Sequence, residues 1–590
     1  MDAVTLAVVR GALEQIADEM DLHLIHAAIS PIISETNDCA HGLFHAETGE
    51  TIAQGRYGLP VFLANMQFTT QAVLTKAMAS GGFKPGDLWI LNDPYIGGTH
   101  VQDVQMVAPV FVGGTLICLA ASTGHWMDVG GSVPGGWAPK ATEVHQEGML
   151  IPPVKLYDAG RRNDALVDMF LANVRLPEQI AGDLAAMTNV FQVGQRGVEA
   201  LIKRYGPDLL AQCIDELVTR SEAQMRAMIA DIRPGTYRYS EILDNDGIED
   251  RPLKMELAIT VKDGEMLFDF TGTSPRAKGP VNLSRNTAVS TCYVALKHIF
   301  PEVPVNGGAF RPTKFVIPPN SVISAEYPTP VGGYLEVVGR LIDLVFGALA
   351  QAIPARTPAA AFGTTGVVTA SGMHPVQNAF FVGVFPYPGG YGATKGSDGL
   401  VNGNTPQSMA NFMSLEMSEH RFPLRFDFFA LREDSGGSGQ WRGGCGTTYG
   451  FSVWSETLVS VLGDRVDQQP FGIAGGKSAA PNYVAFKTGG KTWIPEMRSK
   501  FEKQPLQPGE SIVAASPGGG GYGPPLARDL DEVERDLNLG YITPERAEQD
   551  YGVVIASRQA LGSHGVFTLD REASLRRRAQ LKSALGAAAE

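Results

Sequence analysis

Residues Val104 to Met127 carry no charged side chain, and a run of that length can span a bilayer as a helix. Gly113-Gly114 sits at its centre. Each glycine costs a helix interior roughly 1 kcal/mol relative to alanine, whereas two adjacent glycines suit a tight hairpin turn. The run therefore predicts two apolar strands, Val104 to Val112 and Thr115 to Thr123, folded back about the glycine pair inside a globular core, and not a membrane span. Asp103 and His125 flank the hairpin's open end. Side chains alternate along a strand, so a two-residue loop would put these two on opposite faces and a three-residue loop on the same face. The odd loop is the expectation, and it sets a carboxylate beside an imidazole.

Other residues gather round that end. His100, three positions before Asp103, follows Gly97-Gly98-Thr99, a loop that can turn its ring toward the same spot. Seven of the 11 histidines (His23, His26, His41, His45, His100, His125, His145) fall within the first 145 residues, with Asp38, Asp93, Asp103, Asp128 and Glu147. Taken singly, each histidine is more often a hydrogen-bonded structural residue. Two imidazoles plus carboxylates suit one divalent transition metal (Mn, Zn, Fe or Co) better than Ca²⁺ or Mg²⁺, and the set contains no thiolate of the kind that builds structural zinc sites.

At 590 residues the chain exceeds what one core usually organises. Its 68 glycines and 38 prolines imply many tight turns. The net charge of −14, without a basic run, excludes nucleic acid as the natural partner. Five scattered cysteines without a C-x-x-C pair suit a reducing, cytoplasmic setting without disulfides. Leu6, Val9, Leu13, Ile16, Met20 and Leu24 recur at helical spacing among acids, unlike a secretion signal.

The pattern along the chain predicts an α+β protein of several lobes. Residues 1–160 form a mixed α/β lobe with the metal-site candidates, beginning with a helix to about Ala28 and a second near Phe62 to Ala79. Residues 161–235 read as helices broken at Pro177 and Gly206, and 236–525 as a β-rich lobe punctuated by Gly and Pro, with a helix at Arg340 to Ile353. Residues 526–590 read as a helical C-terminal segment: Leu530 to Leu539, Pro544 to Tyr551 and Ala573 to Ala588. Gly472 to Ser478 falls one residue short of a phosphate loop, and the sequence contains neither G-x-S-x-G nor H-E-x-x-H.

Several segments together resemble the B-type subunits of the hydantoinase/5-oxoprolinase/ketone (acetone, acetophenone) carboxylase family. They are Ser30 to Asp38 (SPIISETND), Asn92 to Asp103 (NDPYIGGTHVQD), Gly124 to Gly131 (GHWMDVGG) and Gln146 to Leu156 (QEGMLIPPVKL), then Asp269 to Thr273 (DFTGT), Asp434 to Gly437 (DSGG), Arg442 to Gly444 (RGG) and Pro517 to Gly523 (PGGGGYG). They stand in the family's order over nearly the whole chain. The resemblance implies a large cytoplasmic subunit working with an A-type partner that uses ATP, and metal ligands at Asp38, His100, Asp103 and His125. It implies ATP-dependent hydrolysis of a cyclic amide whose carbonyl is phosphorylated on the partner; the alternatives are ketone carboxylation and a non-catalytic scaffold with a structural metal. Asp128 and Glu147 are the candidates for proton transfer or for orienting the ligands; otherwise Asp128 caps the Gly130-Gly131 turn and Glu147 makes a local ion pair. The chain departs from the family pattern at Thr36, where Arg is usual, at Phe62, where His is frequent, and at Trp126, where a second His is frequent.

Overall fold

The computed structural model describes residues 2–561 and 564–587, so Met1 and Ala588, the last residue of the expected final helix, lie outside the described residues. It is a mixed structure of helices and several sheets. The chain opens with helix α1 (Ala3–Ala27), whose first turn is capped by the Asp2 carboxylate accepting from the Val4 and Thr5 N–H groups. The stripe from Leu6 to Leu24 read from the sequence is its buried face. A short helix α2 (Pro31–Ser34) leads into strands β1 (Cys39–His45) and β2 (Thr51–Gln54), helix α3 (Pro60–Ala79) and strands β3 (Leu88–Leu91), β4 (Asp103–Val112), β5 (Thr115–His125), β6 (Val154–Asp158) and β7 (Arg161–Arg162). These strands form one seven-stranded sheet in the order β2-β1-β5-β4-β3-β6-β7, antiparallel throughout. Helix α1 and the long helix Pro177–Tyr205 pack against its central strands, as does α3. Among the described residues no helix is long and apolar enough to cross a membrane.

The uncharged run is the β4–β5 hairpin, but its turn differs from expectation. The loop is the two-residue one: Val112 pairs with Thr115, and Gly113 and Gly114 both hold positive φ (59° and 85°), the condition for a type I′ turn. The odd residue lies in the strand instead. Val110 pairs with Cys118 and Phe111 with Leu116, so Ile117 is an extra residue in a β-bulge. Beyond the bulge the parity is shifted by one, and Asp103 pairs directly with His125. A bulge thus achieves what the odd loop was expected to do.

Helices α4 (Asp164–Ala172), α5 (Pro177–Tyr205) and α6 (Pro207–Ala230) follow. Pro177 and Pro207 occupy first helical turns, where a missing N–H costs nothing, and Gly206 (φ 77°) separates the last two. Strands β8 (Gly235–Leu243), β9 (Leu253–Lys262), β10 (Glu265–Asp269) and β11 (Thr313–Val316) form a four-stranded sheet. Two helices, α7 (Arg285–Ile299) and α8 (Tyr334–Leu349), pack together in the largest core. Only α8 overlaps the helix expected in this region. The α7 sequence carries five β-branched residues and is buried on almost every side, so it lacks the polar stripe that marks a surface helix. Arg340, fully buried on α8, is neutralised by Asp464 (Nη2–Oδ2 3.1 Å) and Glu241 (3.4 Å).

Two further antiparallel sheets follow, of four and five strands. The glycine-rich runs between them meet in one knot: Gly443 N–H donates to Gly437, Gly437 to Gly519 and Gly519 to Gly444 (2.8–2.9 Å). A Cβ on Gly443 would stand 1.8 Å from the Gly519 carbonyl oxygen, so close backbone approach, not anion binding, accounts for these glycines. The C-terminal segment contains Leu530–Asn538, Pro544–Asp550 and Arg571–Ala587 as helices, with an unanticipated hairpin, Ile555–Leu561 and His564–Leu569, between the last two.

Candidate metal centre

Three adjacent strands end together. Cys39 on β1 pairs with Gly124 on β5, so Asp38 stands next to His125, and the His125 N–H donates to the Asp38 carbonyl (3.1 Å). On the other side Asp103 of β4 is His125's direct partner. The loop before β4 delivers His100. Gly97 lies against α3 so tightly that a Cβ would meet the Thr69 Cα at 2.5 Å, and the Asn65 amide holds the Gly97 carbonyl (2.6 Å). Asn92 fixes the other end of the loop through the Val101 carbonyl (2.6 Å) and the Ile151 N–H (2.6 Å).

One carboxylate oxygen, Asp103 Oδ1, meets both rings, His125 Nδ1 at 2.9 Å and His100 Nε2 at 3.0 Å. The other, Oδ2, accepts from the Thr99 hydroxyl and from the Tyr334 hydroxyl (3.1 Å). Candidate ligand atoms of His100, Asp103 and His125 all lie within 4.8 Å of one another. Asp38 is outside that tight group but lines the same cavity, of about 40 Å³, with His100, His125, Trp137 and Tyr334. Thr36 and Phe62, two of the departures from the family pattern, are also in its wall.

The electrostatics follow from burial. Burial pushes the Asp38 carboxyl up to about 7; Asp103 adds to that rise and His125 opposes it. Burial would push Asp103 up as well, but the two imidazoles outweigh it and hold the carboxyl well below the usual range. Three buried atoms, Asp38 Oδ1, His100 Nδ1 and His125 Nε2, have no hydrogen-bond partner. Buried polar atoms are rarely left so. These three are unmet coordination capacity beside the cluster, two of them on the ring nitrogens that do not face Asp103, and a thiolate-free set of nitrogen and oxygen donors fits Mn²⁺, Fe²⁺, Co²⁺ or Zn²⁺.

Asp128 and Glu147 stand elsewhere. Asp128 is fully buried and accepts from the Gly130 N–H (3.0 Å), the Arg175 N–H (2.9 Å) and the Arg175 guanidinium (2.8 Å), so it caps its turn and pairs with a cation. Glu147 accepts the Val331 and Gly332 N–H groups (3.0 and 2.6 Å) and meets backbone, not the local cation expected as its alternative. Burial pushes its carboxyl up to about 8. It braces the segment just before Tyr334, and neither acid lines the cavity. Sequence reasoning missed Tyr334, which lies 231 positions from Asp103. It also missed a second buried constellation on the other face of the sheet: Asp21 Oδ1 to His41 Nδ1 (2.7 Å) and His41 Nε2 to Ser122 Oγ (2.9 Å), with Cys39 alongside. Asp21, His41 and Ser122 are all fully buried, so this chain ties α1 to β1 and β5 and offers no exposed nucleophile.

With this fold and this cluster, the chain belongs to the hydantoinase B/oxoprolinase family, whose sequence model matches residues 2–525. Among its relatives, the beta chain of the caprolactamase of Pseudomonas jessenii is 31% identical over 94% of this chain and 96% of its own length. The B-type chain of a putative D-/L-hydantoinase of Pseudomonas sp. (strain NS671) is 29% identical over 95% and 96%. The crystal structure of the ATP-dependent caprolactamase from Pseudomonas jessenii superposes with a TM-score of 0.87 at 30% identity, covering 98% of this chain and 100% of that one. A nucleotide-free acetone carboxylase has the same fold, with a TM-score of 0.89 at 20% identity over 99% of this chain and 84% of that one.

Proposed function

We propose that this chain is the metal-holding subunit of an ATP-dependent enzyme that opens a cyclic amide, and that it works in the cytoplasm with an A-type partner that spends the ATP. The observation that carries this is the buried cluster of His100, Asp103 and His125 beside Asp38, three of whose polar atoms lack partners, in a chain similar to those of a caprolactamase and a hydantoinase. The likeness to acetone carboxylase, at 20% identity, bears on the fold.

Asp38, His100, Asp103 and His125 would hold the cation, which when bound supplies Lewis acidity toward a carbonyl oxygen and lowers the pKa of water. The protein's own part is preorganisation. Thr99 and Tyr334 both donate to Asp103 Oδ2, keeping Oδ1 turned toward the two imidazoles. Trp137 stacks on His125 (6.0 Å, 17°) and packs against His100 (5.1 Å), fixing the ring planes and keeping bulk water out. Glu147 holds the turn that leads into Tyr334. An amide carbonyl is a poor electrophile, and ATP spent on the A-type partner would place a phosphoryl group on its oxygen; water then adds to the carbon, the ring C–N bond breaks with a proton passing to nitrogen, and hydrolysis of the resulting acyl phosphate releases phosphate and the carboxylate. The test is ring opening by the copurified complex in ¹⁸O-water: label in the product carboxylate together with ATP consumption supports hydrolysis, whereas bicarbonate carbon in a new carboxylate would replace it by carboxylation.

A further inference from the structure

The cavity beside the cluster and the wider pocket adjoining it offer an incoming molecule no lysine or arginine side chain among the described residues that line them. From this we infer that the site takes a cyclic amide that is neutral apart from its reacting group and apolar in body, and rejects rings that carry a carboxylate. The inference rests on the cyclic-amide reading above for the ring, and on the cavity walls for the charge.

The small cavity is walled mainly by apolar side chains, among them Ile32, Phe62, Leu335, Val367 and Val384. It shares Pro386, Asn404, Ser408 and Ala410 with a pocket of about 620 Å³ whose one charged lining residue is Glu35. Among the described residues lining the two spaces, none is Lys or Arg. Arg421, which pairs with Glu35 (3.5 Å), lines a different pocket. An anionic substituent would therefore pass Glu35, whose carboxylate Arg421 already engages, and come to rest near the Asp103 carboxylate without meeting a lysine or arginine of its own. A cation held by the cluster would be engaged with the reacting amide, so a carboxylate at the far side of the ring has no partner. Burying an unpaired carboxylate costs several kcal/mol, far more than burying an amide that finds a hydrogen bond.

A neutral amide does find one. Thr365 Oγ1 is buried in the cavity wall with no hydrogen-bond partner. Its backbone is pinned, since the Thr365 N–H donates to Glu336 (3.1 Å) and its carbonyl accepts the Tyr387 N–H (2.9 Å). A hydroxyl both donates and accepts, so it suits an amide N–H or C=O, but it cannot neutralise a carboxylate. Thr365 is thus assigned as a substrate-contacting residue.

The experiment compares δ-valerolactam with the same ring bearing one carboxylate next to nitrogen, using the full chain with its copurifying partner and bound metal. Binding is read by calorimetry and ring opening by product analysis. The neutral ring should bind roughly a hundredfold or more tighter. Thr365→Val, with an unchanged melting curve, should weaken the neutral ring by about tenfold. Equal or tighter binding of the carboxylated ring, or binding of neither, overturns the inference. Selective binding of the neutral ring without ring opening leaves the inference standing and refutes the hydrolase reading, so the two fail separately.

Discussion

Replacing Tyr334 by Phe and Thr99 by Val, singly and together, tests whether Asp103 is held in place for a cation. Both hydroxyls donate to the same carboxylate oxygen, Oδ2, in a fully buried setting. A hydrogen bond to a charged group contributes about 1.5–3 kcal/mol, which corresponds to roughly ten- to a hundredfold in affinity. Either single change leaves the other donor in place, so each should fall at the low end, near tenfold weaker metal binding, in line with the effect of outer ligand partners elsewhere. The double variant leaves a buried carboxylate oxygen with no partner and should lose about a thousandfold or more, beyond the product of the single losses. Titration of the metal-free chain against a competing chelator gives all four constants. Single effects under twofold, or a double effect equal to their product, would refute the reasoning.

Three other outcomes are expected. Glu147, with its carboxyl raised from 4.5 to about 8, favours the native state fully below about pH 4.5 and loses that contribution as pH rises toward 8; Glu147→Gln should therefore flatten the fall in melting temperature across that window, and an unchanged slope would count against a neutral buried acid. Gly520→Ala places a Cβ 1.9 Å from the Phe471 carbonyl oxygen and should destabilise by more than about 3 kcal/mol, above the usual range for overpacking, seen as a lower melting temperature and early proteolysis. Deleting Ile117 removes the bulge yet leaves every pair from Val110–Cys118 to Asp103–His125 opposed; metal binding should survive, and loss of metal from a folded variant would show that the bulge does more than set the register.

Much of the buried cluster was legible because its parts sit near chain-local signals. The uncharged run, the glycine pair and the flanking Asp103 and His125 fix a hairpin and its open end by alternation alone. The alternation could not say where the odd residue would sit, because a loop residue and a bulge residue shift parity equally; Ile117 looks like any other strand residue. Thr99 lies within the motif that carries His100, but Tyr334 arrives from the start of α8 and leaves no local trace. Helix α7 was hidden by burial, since a helix apolar on most faces lacks the periodic contrast that reveals α1 or α5. The glycine count announces tight turns, but the meeting of the glycine runs in one knot depends on pairings across the second half of the chain. Asp128 and Glu147 stood out by type and position, and in the fold one sits beside Arg175 and the other under the Val331-Gly332 turn.

The most direct test of the account is elemental analysis of the purified chain and its His100→Ala and His125→Ala variants, each paired with a melting curve. About one equivalent of a divalent transition metal is expected in the wild type and near zero in either variant, with melting curves of unchanged shape, because the cluster links a loop to strand ends. A full equivalent of metal retained in both variants would contradict the ligand assignment, and loss of metal together with unfolding would make the site structural.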